Sequence, residues 1–291
     1  IGMQVPGMYS IFTSAEITIK KTNTTPSIKI IESDARLRRI IIGCKYKNIN
    51  ARLQAFFRPS PINSKSCEEI SEKYTTIDFS NVNALIIGGS RGLGACVAKL
   101  IAVGGGKVNI TYNLGEEEAR FVKEDIDSWG ARCTIQQLNI LSDDLSSKLS
   151  PGVNHIYYFA SPKIKENRSL EFDSSLYLKY FDYYVAGFEK LCAFSSNSIP
   201  KTIFYPSTDV IEKKSKYYRE YIRAKIKGEE LCNGINKHGI LKILKPRLPR
   251  ILTDQTATVL PIKSSNIYST LLPYIIEMNS NGGISWNKVL R

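Results

Sequence analysis

The stretch VNALIIGGSRGLGACVAKLI, residues 82–101, constrains the fold of this chain more than any other. A continuous apolar run ended by glycines reads as a strand buried on both faces. Leu93, Val97, Leu100 and Ile101 then recur at helical spacing until Gly104 to Gly106 stop the helix. A strand with no solvent face needs parallel neighbours beside it and helices above and below. The residues that follow supply them. KVNITYN, RCTIQQLNI, HIYYFAS, KTIFYPST and ILKILKPRL read as strands, and EEEARFVKEDIDSWG, SLYLKYFDYYVAGFEKLCAFSS and YYREYIRAKIKGEELCNGIN as the helices between them. Six strands interleaved with helices predict an α/β fold, a Rossmann-type doubly wound parallel sheet with helices on both faces.

The segment before this pattern is different. AEITIKK, SIKIIESD, LRRIIIGCKYK and ARLQAFFRP are strand-like with little helix between them. Residues 1–62 are therefore expected to form a small β-rich segment with one short leading helix. Residues 63–78 are read as a linker, and 79–291 as the Rossmann-type domain.

Composition narrows the function class. The net charge of +13 comes from lysines and arginines spread along the chain, with no zinc-finger spacing, no basic region with heptads and no aromatic-glycine RNA motif. No nucleic acid is expected as the main ligand, and anionic small molecules or an acidic protein partner account for the charge. No stretch approaches about 18 consecutive apolar residues, and the first residues lack a basic leader, so a soluble chain without membrane attachment is expected. The six cysteines are far apart, with no Cys-x-x-Cys and no histidine pair nearby. That spacing argues against a metal site and for a reducing, cytoplasmic compartment.

Two constellations carry chemistry. Gly88, Gly92 and Gly94, in the loop that also holds Ser90, Arg91 and Leu93, follow a G-x-x-x-G-x-G spacing. A dinucleotide pyrophosphate needs a tight turn after a strand, close backbone approach and the positive end of a helix, and these positions supply all three. An acidic residue for ribose hydroxyls is missing where the second strand ends at Tyr112-Asn113, while Arg91 offers a guanidinium for a phosphate. The second constellation is on the last long helix. Tyr221 and Lys225 are four apart and share a face. A phenol of pKa about 10 works poorly near neutrality unless a cation favours its ionised form, which Lys225 is placed to do. Ser207, fourteen residues upstream, ends a predicted strand where its hydroxyl could orient a carbonyl. Tyr217 and Tyr218 compete with Tyr221, but the residues four positions on are Tyr221 and Ile222 rather than lysine.

The glycine loop followed by Ser207 and Tyr221-x-x-x-Lys225 resembles the short-chain dehydrogenase/reductase family over residues 82 to about 260. The resemblance implies that Gly88, Gly92 and Gly94 hold a cofactor pyrophosphate and that Arg91 selects NADP(H) over NAD. It also implies Tyr221 as general acid, Lys225 lowering its pKa and holding the nicotinamide ribose, and Ser207 orienting the substrate. Ser90, Leu93, Asn139, Ala160, Pro249 and Thr253 complete the implied cofactor contacts. Several positions depart from the family pattern. YYFASP keeps only Ala160 of the usual Asn-Asn-Ala-Gly, Tyr184 stands where a helix asparagine completes a proton relay, and Asn139 replaces an aspartate near the adenine.

Residues 1–62 resemble, more faintly, the second half of a hot-dog enoyl hydratase; a plain β-rich extension is the alternative. The family's Asp and His pair is not available, because His155 and His238 both lie in the reductase-like part and read as structural. The resemblances together imply an NADPH-dependent ketoreductase acting on a small-molecule or carrier-bound 3-oxoacyl thioester. An acyl carrier protein and a second copy of the chain are the implied partners. The alternatives are a sugar-nucleotide epimerase, dehydratase or reductase, and a non-catalytic NADP-binding module. The tyrosine-rich LYLKYFDYYVAGF reads as packing, and Glu229-Glu230 as a solvent-facing pair.

Overall fold

A computed structural model describes residues 10–57, 64–74, 77–146, 152–169, 171–196, 202–239, 241–253, 256 and 264–280. Contacts divide the chain into two compact units, Ile1–Ile62 with Thr256–Lys263 and Asn63–Gln255 with Ser264–Arg291.

The first unit is a long antiparallel hairpin of β1 (Ser10–Asp34) and β2 (Arg39–Phe57). The four expected strands are thus two. The polar stretch between AEITIKK and SIKIIESD is rich in threonine, whose β-branched side chain suits an extended backbone, and register shifts at Ile19/Thr24 and Thr24/Ser27 absorb the irregularity. The expected leading helix falls on residues 1–9, outside the described residues, and Ser10 to Phe12 are already strand. Ile40, Ile42, Cys44 and Ala55 of β2 form a small buried cluster, whereas Ile17, Ile19, Ile28 and Ile30 of β1 are exposed.

The second unit is built on a six-stranded parallel sheet. Its strands are β3 (Asn83–Ile87), β4 (Lys107–Tyr112), β5 (Cys133–Gln137), β6 (His155–Tyr158), β7 (Thr202–Phe204) and β9 (Lys242–Leu244). Their spatial order is β5-β4-β3-β6-β7-β9, with the direction of winding reversing between β3 and β6. A ligand crevice is expected at that switch, beyond the carboxyl ends of the strands. Side chains of β3 alternate between two cores. Ala84 and Ile86 pack with α2 (Gly92–Val103), α3 (Glu116–Ser128) and α8 (Ile267–Asn279), and Leu85 and Ile87 with α5 (Gly187–Ser196) and α7 (Arg219–His238). That double burial is why the strand reads as an unbroken apolar run.

The residues read as a linker include α1 (Cys67–Tyr74), whose Cys67 and Ile70 are buried in the first of these cores. Polar anchors add to the apolar contacts. Lys99 Nζ is 2.7 Å from the Asp125 carboxylate and donates to the Lys65 carbonyl at 3.0 Å, and Asp125 also accepts from the Cys67 amide at 3.1 Å. The apolar residues of α1 that face inward are Cys67, Ile70 and Tyr74, too short a stripe to show as a helix through its charges.

The single helix expected over residues 175–196 is three pieces: α4 (Ser174–Phe181), a π-helical turn (Asp182–Ala186) and α5. The sheet explains the interruption. Tyr158 Oη donates to the Tyr183 carbonyl at 2.6 Å and Tyr205 Oη to the Tyr184 carbonyl at 2.9 Å, so two carbonyls accept bonds from outside the ladder.

Candidate active site

The glycine loop joins β3 to α2 at the carboxyl edge of the sheet. Gly88 has φ +80° and Gly92 φ +59°, a region that favours glycine. Gly94 is needed for closeness: a Cβ there would strike the Gly88 carbonyl and lie 2.8 Å from Gly89 Cα. A Cβ on Gly88 would lie 3.0 Å from the Phe159 backbone and 3.1 Å from Ala160 N, so β6 also crowds the turn. The first N–H groups of α2 have no acceptor within the helix, and with the helix dipole they form an anion site. Leu93 lies in the first turn of α2 and Thr253 borders the loop, 3.8 Å from where a Gly92 Cβ would stand. The cradle has the shape a dinucleotide pyrophosphate needs.

Arg91 caps α2 through its backbone only, and its side chain is 61% exposed, 3.8 Å from the half-exposed Glu118 carboxylate. Water screens such a pair strongly. Glu118 is therefore a carboxylate near the loop that inspection of the β4 end at Tyr112-Asn113 missed. It comes from the first turn of α3, brought close by Gly115, where a Cβ would sit 3.0 Å from Ser90 Oγ and 3.1 Å from Glu118. Asn139 is used locally, its Oδ1 accepting from Leu141 N at 3.1 Å and its own N–H donating to Asp143 at 2.9 Å.

Beyond β7, the chain forms β8 (Ser207–Thr208), paired in parallel with β10 (Arg247–Leu248). Pro249, half-buried, follows β10. Over β8 lies the buried face of α7, where Tyr221, Lys225 and Glu229 follow one another at intervals of four, with 9%, 5% and 8% exposure. Burial pushes the Tyr221 phenol well above its ordinary pKa, and a hydrogen bond with the Thr208 hydroxyl works in the opposite direction. Its ring meets those of Tyr180 and Tyr184 edge-on, at 5.7 and 5.6 Å between centroids.

Three expectations change. The hydroxyl that acts on the Tyr221 phenol is that of Thr208, thirteen residues upstream, next to the Ser207 read as orienting a carbonyl. Ser207 is turned away and donates to Glu229 Oε1 at 2.5 Å, because adjacent residues of a strand point to opposite sides. Lys225 does share the face of Tyr221, but its ammonium donates to the Pro206 carbonyl at 2.7 Å and lies 3.9 Å from the Tyr184 ring centroid and 4.8 Å from that of Tyr205. Burial lowers its pKa to about 7, opposed by its neighbours Cys232 and Glu229. At Tyr221 itself burial prevails. Finally, Glu229 faces inward, while its neighbour Glu230 is exposed. Burial would raise the Glu229 pKa, but the Arg247 fork and the Ser207 hydroxyl hold it below its usual value.

Tyr184 stands in the π-helical turn and its Oη is 2.6 Å from Ser161 Oγ, in the altered YYFASP segment. No sequence pattern flagged Ser161, Thr208 or Glu229. The only available signal was the adjacency of Thr208 to Ser207. Among the described residues no cluster of three or more His, Cys, Asp and Glu side chains could hold a metal ion, and no helix is long and apolar enough to cross a membrane.

No family profile matches the chain. Among curated proteins, the short-chain dehydrogenase/reductase FrzI of Cladobotryum sp is 43% identical over 54 residues, a stretch spanning 19% of this chain and 21% of FrzI. Solved structures resemble the chain over far more of its length. A short-chain dehydrogenase from Escherichia coli CFT073 complexed with NADPH superposes with a TM-score of 0.62 at 16% identity, over 72% of this chain and 95% of that one. The FolM alternative dihydrofolate reductase 1 from Brucella canis, complexed with NADP, gives 0.60 at 15% identity, over 69% and 88%. Over about seven tenths of its length the chain thus has the fold of these short-chain dehydrogenases, and the sequence match to FrzI, a short-chain dehydrogenase/reductase, spans about a fifth of either chain.

Proposed function

We propose that the second unit is an NADPH-dependent reductase of carbonyl groups, with Tyr221 as proton donor. One observation carries the proposal. The buried Tyr221–Lys225 face of α7, with Thr208 beneath it, stands at the same carboxyl edge of the parallel sheet as the glycine cradle after β3. Bound NADPH, its pyrophosphate on Gly88, Gly92 and Gly94 and its 2′-phosphate by Arg91, would supply the hydride. The oxygen of a carbonyl reduced there would take the Tyr221 proton. The raised phenol pKa suits this direction of reaction, since it keeps the proton on Tyr221 until an alkoxide, a far stronger base, forms. Thr208 orients the phenol and is the hydroxyl placed to hydrogen-bond the carbonyl, the role first given to Ser207. Lys225, held by Pro206 and two aromatic rings, sets the positive potential on this face. Ser90, Leu93, Asn139, Ala160, Pro249 and Thr253 border the cofactor in this reading.

The substrate class we favour is a 3-oxoacyl thioester on coenzyme A or an acyl carrier protein. The +13 charge suits a phosphorylated or acidic carrier. Assembly into a homo-oligomer belongs to the same proposal. The test is NADPH oxidation with a β-keto thioester. Tyr221→Phe should lower turnover by about a thousandfold and leave the NADPH Kd within about twofold. A mutant of undiminished rate removes Tyr221 from its role; wild-type protein that binds NADPH but turns over no carbonyl is a binding module instead.

A further inference from the structure

The third member of the α7 face has no part in the reaction just described. Glu229 is buried, and its carboxylate has three hydrogen bonds: from Ser207 Oγ at 2.5 Å, from Arg247 Nε at 2.8 Å and from Arg247 Nη2 at 2.7 Å. Arg247 and Ser207 are register partners across the β8–β10 pair, so one carboxylate ties both short strands to α7. These strands have only two residues each and need such an anchor to hold Thr208 under Tyr221. A buried carboxylate accepting a bidentate guanidinium and a hydroxyl satisfies most of its lone pairs, the condition for keeping a charge in an apolar setting.

The same carboxylate is one helical turn from Lys225. The groups that face the Lys225 ammonium can be named from every side. Tyr184 of the π-helical turn and Tyr205 after β7 present ring faces, Pro206 a carbonyl, and α7 itself presents Glu229 and Cys232. Lys245 and Arg247, before and within β10, act on Glu229 from the far side. Cys232 is a buried thiol pushed up to about 12, hence neutral near pH 7. Glu229 is thus the anion facing Lys225 among these groups.

We propose that Glu229 is a positioning residue: its carboxylate clamps β8 and β10 to α7 and keeps the Lys225 ammonium charged beside Tyr221. The functional weight of the clamp rests on the reductase reading above, but the clamp itself can be measured without cofactor or substrate. The experiment is an NMR titration of the full chain carrying lysine labelled with ¹³C at Cε, the Lys225 signal being identified by its loss in Lys225→Met. Glu229→Gln removes the anion at nearly constant volume, so the Lys225 midpoint should fall by about one pH unit. Arg247→Met removes the cation that neutralises Glu229, so the midpoint should rise. Glu229→Asp should restore most of the wild-type value. The opposite signs also guard against misfolding, since a variant that merely loosens the fold moves the midpoint toward that of a solvated lysine in every case. An unchanged or raised midpoint in folded Glu229→Gln overturns the proposal, and an unchanged midpoint in Arg247→Met does so independently should the first variant not fold. Glu212→Gln, at the exposed outer contact of Arg247, should leave the midpoint unmoved. Wild-type protein inert toward carbonyls would sink the reductase reading and leave this titration as informative as before.

Discussion

At the scale of single residues, burial decides which groups carry charge. Lys225 has its folded pKa near 7 against an ordinary 10.5, chiefly through desolvation. Between those values the unfolded chain binds one more proton than the folded one, so this residue's contribution to stability rises with pH from about 7 to 10.5 and is least favourable below 7. Lys225→Met should accordingly be more stable than the wild type at pH 6, by on the order of 2 kcal/mol after loss of the Pro206 bond, with the advantage gone above pH 10.5. Thermal unfolding across that range checks the slope, and the same variant should have no measurable turnover. A second prediction separates the two adjacent hydroxyls. Thr208→Val should lower kcat by about a hundredfold, because it removes the partner of the phenol, whereas Ser207→Ala should cost less than about tenfold and act mainly through stability. The reverse order of effects would return the catalytic role to Ser207. The sequence makes both hydroxyls available side by side, and only strand pleat tells them apart.

At the scale of elements, the loop between β3 and α2 couples fold to cofactor. Gly94 sits where the first turn of α2 passes directly over the Gly88 carbonyl, so any side chain there must push helix and strand apart. Gly94→Ala should cost about 2 kcal/mol of stability and weaken NADPH binding at least tenfold, measured by denaturant unfolding and by fluorescence titration. Retained affinity would mean that the pyrophosphate does not approach this turn. The π-helical turn is the element least visible in the sequence. Its residues continue the helical period of their neighbours, and what opens it is a pair of tyrosine hydroxyls from β6 and the end of β7, more than twenty residues away in either direction. Tyr184 thereby brings its ring under Lys225 and its hydroxyl to Ser161. No window of local sequence contains that arrangement.

At the scale of the whole molecule, two units of different character share one chain. The α/β unit buries several ionisable groups: its five cysteines are buried and unpaired with each other, and His155 opens β6 inside the core. Burial lowers the His155 pKa to about 4. Below its unfolded value of about 6.5 the unfolded chain takes up a proton that the folded one refuses, so stability falls as pH drops from about 6.5 to 4. His155→Leu should flatten that loss by about 2 kcal/mol at pH 4, as measured by urea unfolding; an unaltered acid profile would place the sensitivity elsewhere. The sequence by itself determined the parallel sheet, its order of strands and helices, the glycine cradle and the Tyr221–Lys225 face, because each is encoded by a short-range period or spacing that survives any packing. It did not determine which hydroxyl meets Tyr221, that Glu229 turns inward to Arg247, that the segment read as a linker belongs to the core, or that four strand-like runs are two long strands. Those outcomes depend on which groups lose water together when distant elements meet, and desolvation and hydrogen-bond partnership exist only once the chain has folded.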